Sequence, residues 1–233
     1  MTIPDLSAMN AAGLALRLTD LHRLTQRDER VQVLLPGPTP ASRSHLNDIL
    51  EGAGFSLARH QGASPSWLTR QWTLPDTVAP SMALLISGLN PSPAAADAGI
   101  GFARPGNRFW PAALAAGVAT LDRDPDHALA HHGLAMTDIV KRTTRRADEL
   151  APQEYEHGIE RLTRLVELFQ PRAICFVGLA GWRAVRDPRA SPGWQPSLLG
   201  ATPVYVMPST SGLNASSQLP DFVRHLTAVA HGP

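Results

Sequence analysis

The sequence lacks several features that would have assigned a function class at once. It holds one cysteine, Cys175, in 233 residues, which excludes an internal disulfide and a cysteine-rich zinc site. That cysteine sits in the apolar run "AICFVG", the setting of a buried structural thiol and not of a nucleophile. Lysine is equally scarce, because Lys141 is the only one and arginine supplies the other 20 basic side chains. Charge excess is missing as well: 21 basic against 20 acidic residues leave +1. This argues against a nonspecific polyanion binder, although a balanced total can conceal a basic face. No apolar run approaches the roughly 20 residues of a membrane span, and Met1 to Asn10 lacks the basic-then-apolar order of a signal peptide. A cytoplasmic protein without a membrane partner is the expectation. There is no internal repeat and no glycine-rich phosphate loop, so no cofactor is expected.

What is present is enough apolar material, 43% of residues, for a real core. "MNAAGLALRLTDLHRLT", Met9 to Thr25, brings Leu14, Leu16, Leu18, Leu21 and Leu24 round at roughly helical spacing. A short strand "VQVLLPGP" follows, stopped by Pro36 and Pro38. Ser44 is then expected to cap a helix "HLNDILEGAG" ending at Gly52 or Gly54, before the strand "FSLARHQG". This β, α, β order could be a fragment of a nucleotide-binding sheet, and it weakly resembles the last helix and strand of methyltransferase-type domains. "SPSWLTRQWTLPDTVAP" reads as a connector. Beyond Pro80, "SMALLISGLNP", "AICFVG" and "TPVYVMPSTSG" are continuous apolar runs, the mark of strands buried on both faces of a parallel sheet, and the helix "EYEHGIERLTRLVELFQ" precedes the second. The expected fold is a three-layer α/β/α sandwich with a mainly parallel central sheet, over residues 81–233, behind an N-terminal α/β extension over 1–80. Ligands of such sheets lie beyond the carboxyl ends of the strands. Loops "GLNPSP" and "MPSTSG" should therefore face one cleft.

The chemistry in those loops is compatible with a planar ligand. Pro91 biases Asn90 away from helical geometry, which holds an amide at the mouth of the cleft, able to orient a water or read the edge of a base. An Asn-Pro pair is equally the material of a turn. Gly99 and Gly101 allow the backbone to pass close to a ligand, and Phe102 offers a flat face either for stacking or for core packing. "ARPGNRFW" sets Arg104 and Arg108 beside Phe109 and Trp110, a mixture suited to phosphates near a helix start. His131 and His132 have no third ligand at metal-site spacing and read as helix-end residues, so no metal is expected.

Taken in order, "GLNPS", "GFARPGNRFWPAALAAG", "GLAMTDIVKRTTRRADEL", "QPRAICFVG" and "VMPSTSG" resemble the mismatch-specific uracil/thymine-DNA glycosylase family of the uracil-DNA glycosylase superfamily, over about Ser81 to His231. The resemblance implies a monofunctional glycosylase that flips a pyrimidine out of DNA and hydrolyses its N-glycosidic bond. It leaves an abasic site for base excision repair, without metal or cofactor. Asn90 would orient the attacking water and Phe102 would stack on the base. Backbone donors around Leu89, Ser92 and Ala103 would receive its carbonyl oxygens, with Gly88 and Ser211 completing the pocket. Arg104, Asn107, Arg142, Arg145, Gly212, Leu213 and Asn214 would contact DNA, and the last loop, Ser209 to Ala215, would fill the vacated space. The implied partner is double-stranded DNA carrying uracil or a mispaired pyrimidine, with single-stranded DNA as a further candidate, and the implied state is a monomer.

Two positions depart from the pattern. Ala215 stands where one bacterial branch carries an arginine that grips the opposite strand. Asp138, in "TDIVKRTT", stands in a block where relatives show asparagine or lysine. Its carboxylate would either stabilise the developing sugar cation or accept a proton from water, or else cap a local turn. Lys141, Arg142, Arg145 and Arg146 form the densest basic cluster, suited to phosphates or simply solvated. No obvious lysine nucleophile lies in the pocket blocks, which argues against coupled strand cleavage. A non-catalytic module recognising flipped bases is the competing reading.

Overall fold

Apolar runs without polar interruption need cover on both faces, and the sheet they build determines the rest of the architecture. The computed structural model describes residues 3–37, 40–58 and 64–233, and of residues 40–42 the backbone alone. Pro38 and the "ARHQG" end of the second expected strand, apart from Ala58, lie outside the described residues.

The chain starts with α1 (Ala11–Leu24), whose N-cap Asn10 accepts the Gly13 amide at 2.9 Å. Leu14 and Leu18 of this helix are buried, while Leu16 and Leu24 face out. Next come β1 (Arg30–Val33), α2 (Pro40–Gly52), β2 (Phe55–Leu57) and β3 (Ser66–Arg70). Two expectations need correction here. The helix starts at Pro40, four residues before Ser44, which lies inside it. The expected connector contains β3, the central strand of an antiparallel sheet ordered β1-β3-β2. Its alternation, with Ser66 and Leu68 buried and Trp67 exposed, is the period of a strand with one covered face. No parallel nucleotide-binding fragment forms from these strands.

The principal sheet has five strands in the order β5-β4-β6-β8-β7. β4 (Leu84–Gly88), β5 (Leu134–Asp138), β6 (Ile174–Val177) and β8 (Val204–Met207) are parallel and wholly buried, and β7 (Gly193–Trp194) closes the edge antiparallel. Between β4 and β5 lie α3 (Pro93–Ala98), α4 (Phe109–Ala115) and α5 (Pro125–His132). The later helices are α6 (Pro152–Phe169), α7 (Leu179–Val185) and α8 (Leu219–His231). Side chains alternate across the strands into two cores. Leu85, Ala135, Ile174, Phe176, Val204 and Val206 join Leu14, Leu18, Leu162, Leu165 and Trp182 on one face. Leu84, Ile86, Met136, Cys175 and Met207 join Phe109, Trp110, Phe222 and Leu226 on the other. The result is an α/β fold with a mostly parallel central sheet flanked by helices. Cys175 is fully buried within it, which pushes its thiol well above the ordinary value.

The N-terminal segment shares the first of these cores and is tied to the second half by buried charge. Asp76 accepts Lys141 Nζ at 2.7 Å and Arg161 at 2.8 Å, and Asp48 takes a bidentate pair from Arg164. Although burial opposes ionisation, Lys141 and Arg161 hold Asp76 below the usual carboxylate range. No helix among the described residues is long and apolar enough to cross a membrane.

Candidate active site

The carboxyl ends of β4, β5 and β8 open into one cavity of about 260 Å³, lined among others by Asn90, Phe102, Asn107, Asp138 and Ser209 to Ser211. The two loops expected to share a cleft do share one, because parallel strands deliver their following loops to the same edge. A larger cavity of about 450 Å³, lined by Arg27, Trp72, Thr73 and Arg142, lies elsewhere. Its cations are engaged: Arg27 lies over the Trp72 ring, and Arg142 is paired with Glu154. The smaller cavity is the one with unspent polar groups.

Asp138 is the foremost of these. It is the last residue of β5, not the cap of a turn, and only 6% of it is exposed. Its Oδ2 is buried with no hydrogen-bond partner among the described residues. Burial pushes its carboxyl up to about 6; Lys141 and Arg161 pull it down and Asp76 adds to the rise. An unpartnered buried carboxylate costs free energy, and its place in a ligand-sized cavity makes it a candidate for chemistry.

Asn90 is held from one side. Its Nδ2 donates to Thr144 Oγ1 at 2.8 Å and to the Arg142 carbonyl at 3.0 Å. That leaves Oδ1 as the open acceptor, so the amide is oriented as well as present. Thr144 in turn donates to the Arg146 carbonyl. Sequence reasoning missed Thr144, because 54 residues separate it from Asn90 and no local pattern joins them.

Phe102 supplies the flat wall. It sits at φ 58, in the left-handed region that a phenylalanine rarely occupies. The turn places its ring on that of buried Phe109, with centroids 4.4 Å apart and planes at 23°. Gly99, which leads into this turn, is at φ 66 as the C-cap of α3. Its conformation answers the helix end. Ser92 lines the cavity, but its Oγ accepts the Ala95 amide as the N-cap of α3. The backbone N–H groups of Leu89 and Ala103 donate to no carbonyl among the described residues.

The residues expected at DNA divide into two groups. Arg104, Arg145, Gly212 and Leu213 are exposed, Leu213 by 84%. Asn107 is engaged as an acceptor for the Phe109 amide. Asn214 donates to the Ser209 carbonyl and accepts from Ser216, and Ser211 Oγ accepts the Leu213 amide. Arg142 makes a bidentate pair with Glu154, which it draws down to about 2, and Arg146 pairs with Asp148. Lys141 requires correction: it is buried on Asp76 and the Leu74 carbonyl and is not available to a phosphate. Arg108, grouped above with residues suited to phosphates, spends its guanidinium on carbonyls of the last loop. His131 and His132 close the end of α5 as expected. Among the described residues no group of three or more His, Cys, Asp or Glu is placed to hold a metal ion.

A buried carboxylate, an oriented amide, an aromatic wall and free backbone N–H groups suit a planar, hydrogen-bonding ring with a hydrolysable bond at its edge. In a comparison with protein families, the model described as the uracil DNA glycosylase superfamily matches residues 75–229.

Proposed function

The chain belongs to the uracil DNA glycosylase superfamily, and from that footing we propose that it removes uracil, and mispaired thymine or damaged pyrimidines, from DNA by hydrolysis, leaving an abasic site. Membership itself points to DNA as substrate and to glycosylase activity in DNA repair. The finer reading rests above all on the buried, unpartnered Asp138 carboxylate in the same cavity as Asn90 and Phe102.

The base first leaves the helix, at a cost of a few kcal/mol that is lowest at a mispair. It enters the cavity against the exposed face of Phe102, whose other face rests on Phe109. The bond from C1′ of the sugar to N1 of the base then breaks, and its electron pair departs with the base. Positive charge grows on the sugar and negative charge on the base carbonyls. The free N–H groups of Leu89 and Ala103 receive the latter. Water adds to C1′ through its oxygen, oriented by Asn90 Oδ1, and one of its protons passes to the Asp138 carboxylate. With its carboxyl at about 6, Asp138 is ionised at neutral pH yet able to take a proton. No strand cleavage is coupled to this step, since the one lysine lies buried on Asp76. Leu213, at the tip of the last loop, fills the space the base has left.

The deciding experiment incubates the protein with oligonucleotides carrying uracil opposite adenine, uracil opposite guanine, thymine opposite guanine, and uracil in a single strand, followed by alkali. Alkali-labile sites at uracil are expected. Binding to uracil-containing duplex with no base release would leave only a binding module.

A further inference from the structure

Arg108 lies at the junction of two parts of the site that the sequence keeps a hundred residues apart. On one side its chain neighbour Phe109 forms the underside of the Phe102 wall. On the other, its guanidinium enters the last loop. Nη1 donates to the Ser217 carbonyl at 2.7 Å, and Nη2 donates to those of Ser211 at 2.7 Å and Asn214 at 2.6 Å. Its backbone N–H adds a fourth bond, to the Thr210 carbonyl at 2.9 Å. The guanidinium also lies over the Phe222 ring, 4.8 Å from its centroid. No carboxylate pairs with it among the described residues, and its Nε is buried without a partner. Arg142 and Arg146 are spent on acids; Arg108 is spent on holding backbone.

The segment it holds has no helix or strand of its own between Met207 and Leu219. Such a segment samples many conformations unless something fixes it, and each residue ordered only on binding weakens the complex. It carries at its tip an exposed leucine, Leu213, and then Ala215, which offers no long side chain to a second strand. Its ability to enter a duplex therefore depends on shape held in advance. Gly212 passes the Gly106 carbonyl so closely that an added Cβ would stand 3.0 Å from it, so the loop is braced against the Arg104 to Asn107 turn as well. A planar fork can bond three carbonyls at fixed angles; a lysine ammonium cannot reproduce that geometry.

We propose that Arg108 is a positioning residue that locks the 209–217 loop to the aromatic wall of the pocket, so that insertion of the loop and seating of the base occur in one fixed geometry. The inference rests on the glycosylase reading above. It assigns Arg108 a role in duplex substrates that a general contribution to folding would not give.

The test compares single-turnover excision of uracil from duplex and from single strands by the wild type, Arg108→Ala and Arg108→Lys. In both variants the ratio of duplex to single-strand rate should fall by on the order of tenfold to a hundredfold, the cost of misplacing a group by an ångström. Added guanidinium ion, against potassium chloride at equal ionic strength, should raise that ratio in Arg108→Ala and not in the wild type. An unchanged ratio overturns the proposal. So does full retention in Arg108→Lys, which would make the charge and not the fork the active feature. Amide hydrogen exchange supplies a readout independent of activity. Ser211 to Ser217 should exchange faster in both variants, and unchanged exchange overturns the proposal. If the wild type releases no uracil from either substrate, the glycosylase reading fails, and exchange alone then decides whether Arg108 holds the loop.

Discussion

An added Cβ on Gly88 would stand 2.2 Å from Oδ1 of Asp138 and 3.7 Å from the Phe102 ring. The two residues end adjacent strands in register, Gly88 on β4 opposite Asp138 on β5. The missing side chain on one is the space that the other's carboxylate occupies. Gly88→Ala should therefore push the carboxylate aside, with a stability loss of about 1–3 kcal/mol from overpacking. Excision by the fully folded variant should fall by on the order of 10²-fold. Single-turnover rates and a thermal melt on one sample check this, and a rate within twofold of wild type would separate Asp138 from the reaction.

Asp138 also makes a pH prediction. Folding raises its carboxyl from 3.8 to about 6, chiefly through burial. Between those values the folded chain holds more proton than the unfolded chain, so this group's contribution to stability declines as pH climbs from 4 to 6 and stays low above. Asp138→Asn removes the decline. Relative to wild type the variant should gain on the order of 2 kcal/mol between pH 4 and pH 8. Its excision rate should be low throughout, whereas the wild-type rate should rise with pH and level off above about 6. A wild-type profile flat from pH 5 to 8 would remove the proton-accepting role.

Asn90→Ala should lower excision by about 10²-fold or more while leaving affinity for uracil-containing duplex nearly intact, because the amide acts on water and not on phosphate. Thr144→Val, which removes the acceptor at 2.8 Å from Asn90 Nδ2, should give a smaller loss in the same rate. Equal excision by all three proteins would sink the assignment of Asn90.

Leu213→Ala should slow excision from duplex more than from single strands, where no vacated space exists and the unstacking cost of a few kcal/mol is already absent. Rates on uracil opposite adenine, opposite guanine and in a single strand decide it. Equal proportional loss on all three would make Leu213 a support of the pocket and not a wedge.

Much of this protein was legible in its sequence because buried strands and loop blocks are local signals. "LLISG", "ICFV" and "VYVM" announce strands covered on both faces by their uninterrupted apolar character, and parallel strands oblige their loops to meet at one edge. The ordered blocks then carried the superfamily. Local pattern was weaker for β5, where the strand ends in Asp138, and for β3, where the polar Ser66, Thr69 and Arg70 masked a period-two alternation. The same limit moved the start of α2 from Ser44 to Pro40.

What only the tertiary structure decided is the state of each polar group. Lys141 and Arg142 are neighbours in sequence and identical in sign, yet one is buried on Asp76 and the other pairs with Glu154 at the surface. Arg108 and Arg104 look alike in "ARPGNR", yet Arg108 binds carbonyls more than a hundred residues away and Arg104 is exposed. Asp138 could have capped a turn; the strand ends of β4 and β5 instead bury its carboxylate beside Gly88, with one oxygen unpartnered. Periodicity and composition register how often a residue must be covered, which is a property of the chain near it. Charge pairing and desolvation depend on which distant groups arrive within a few ångströms, and the sequence carries that information only through the fold.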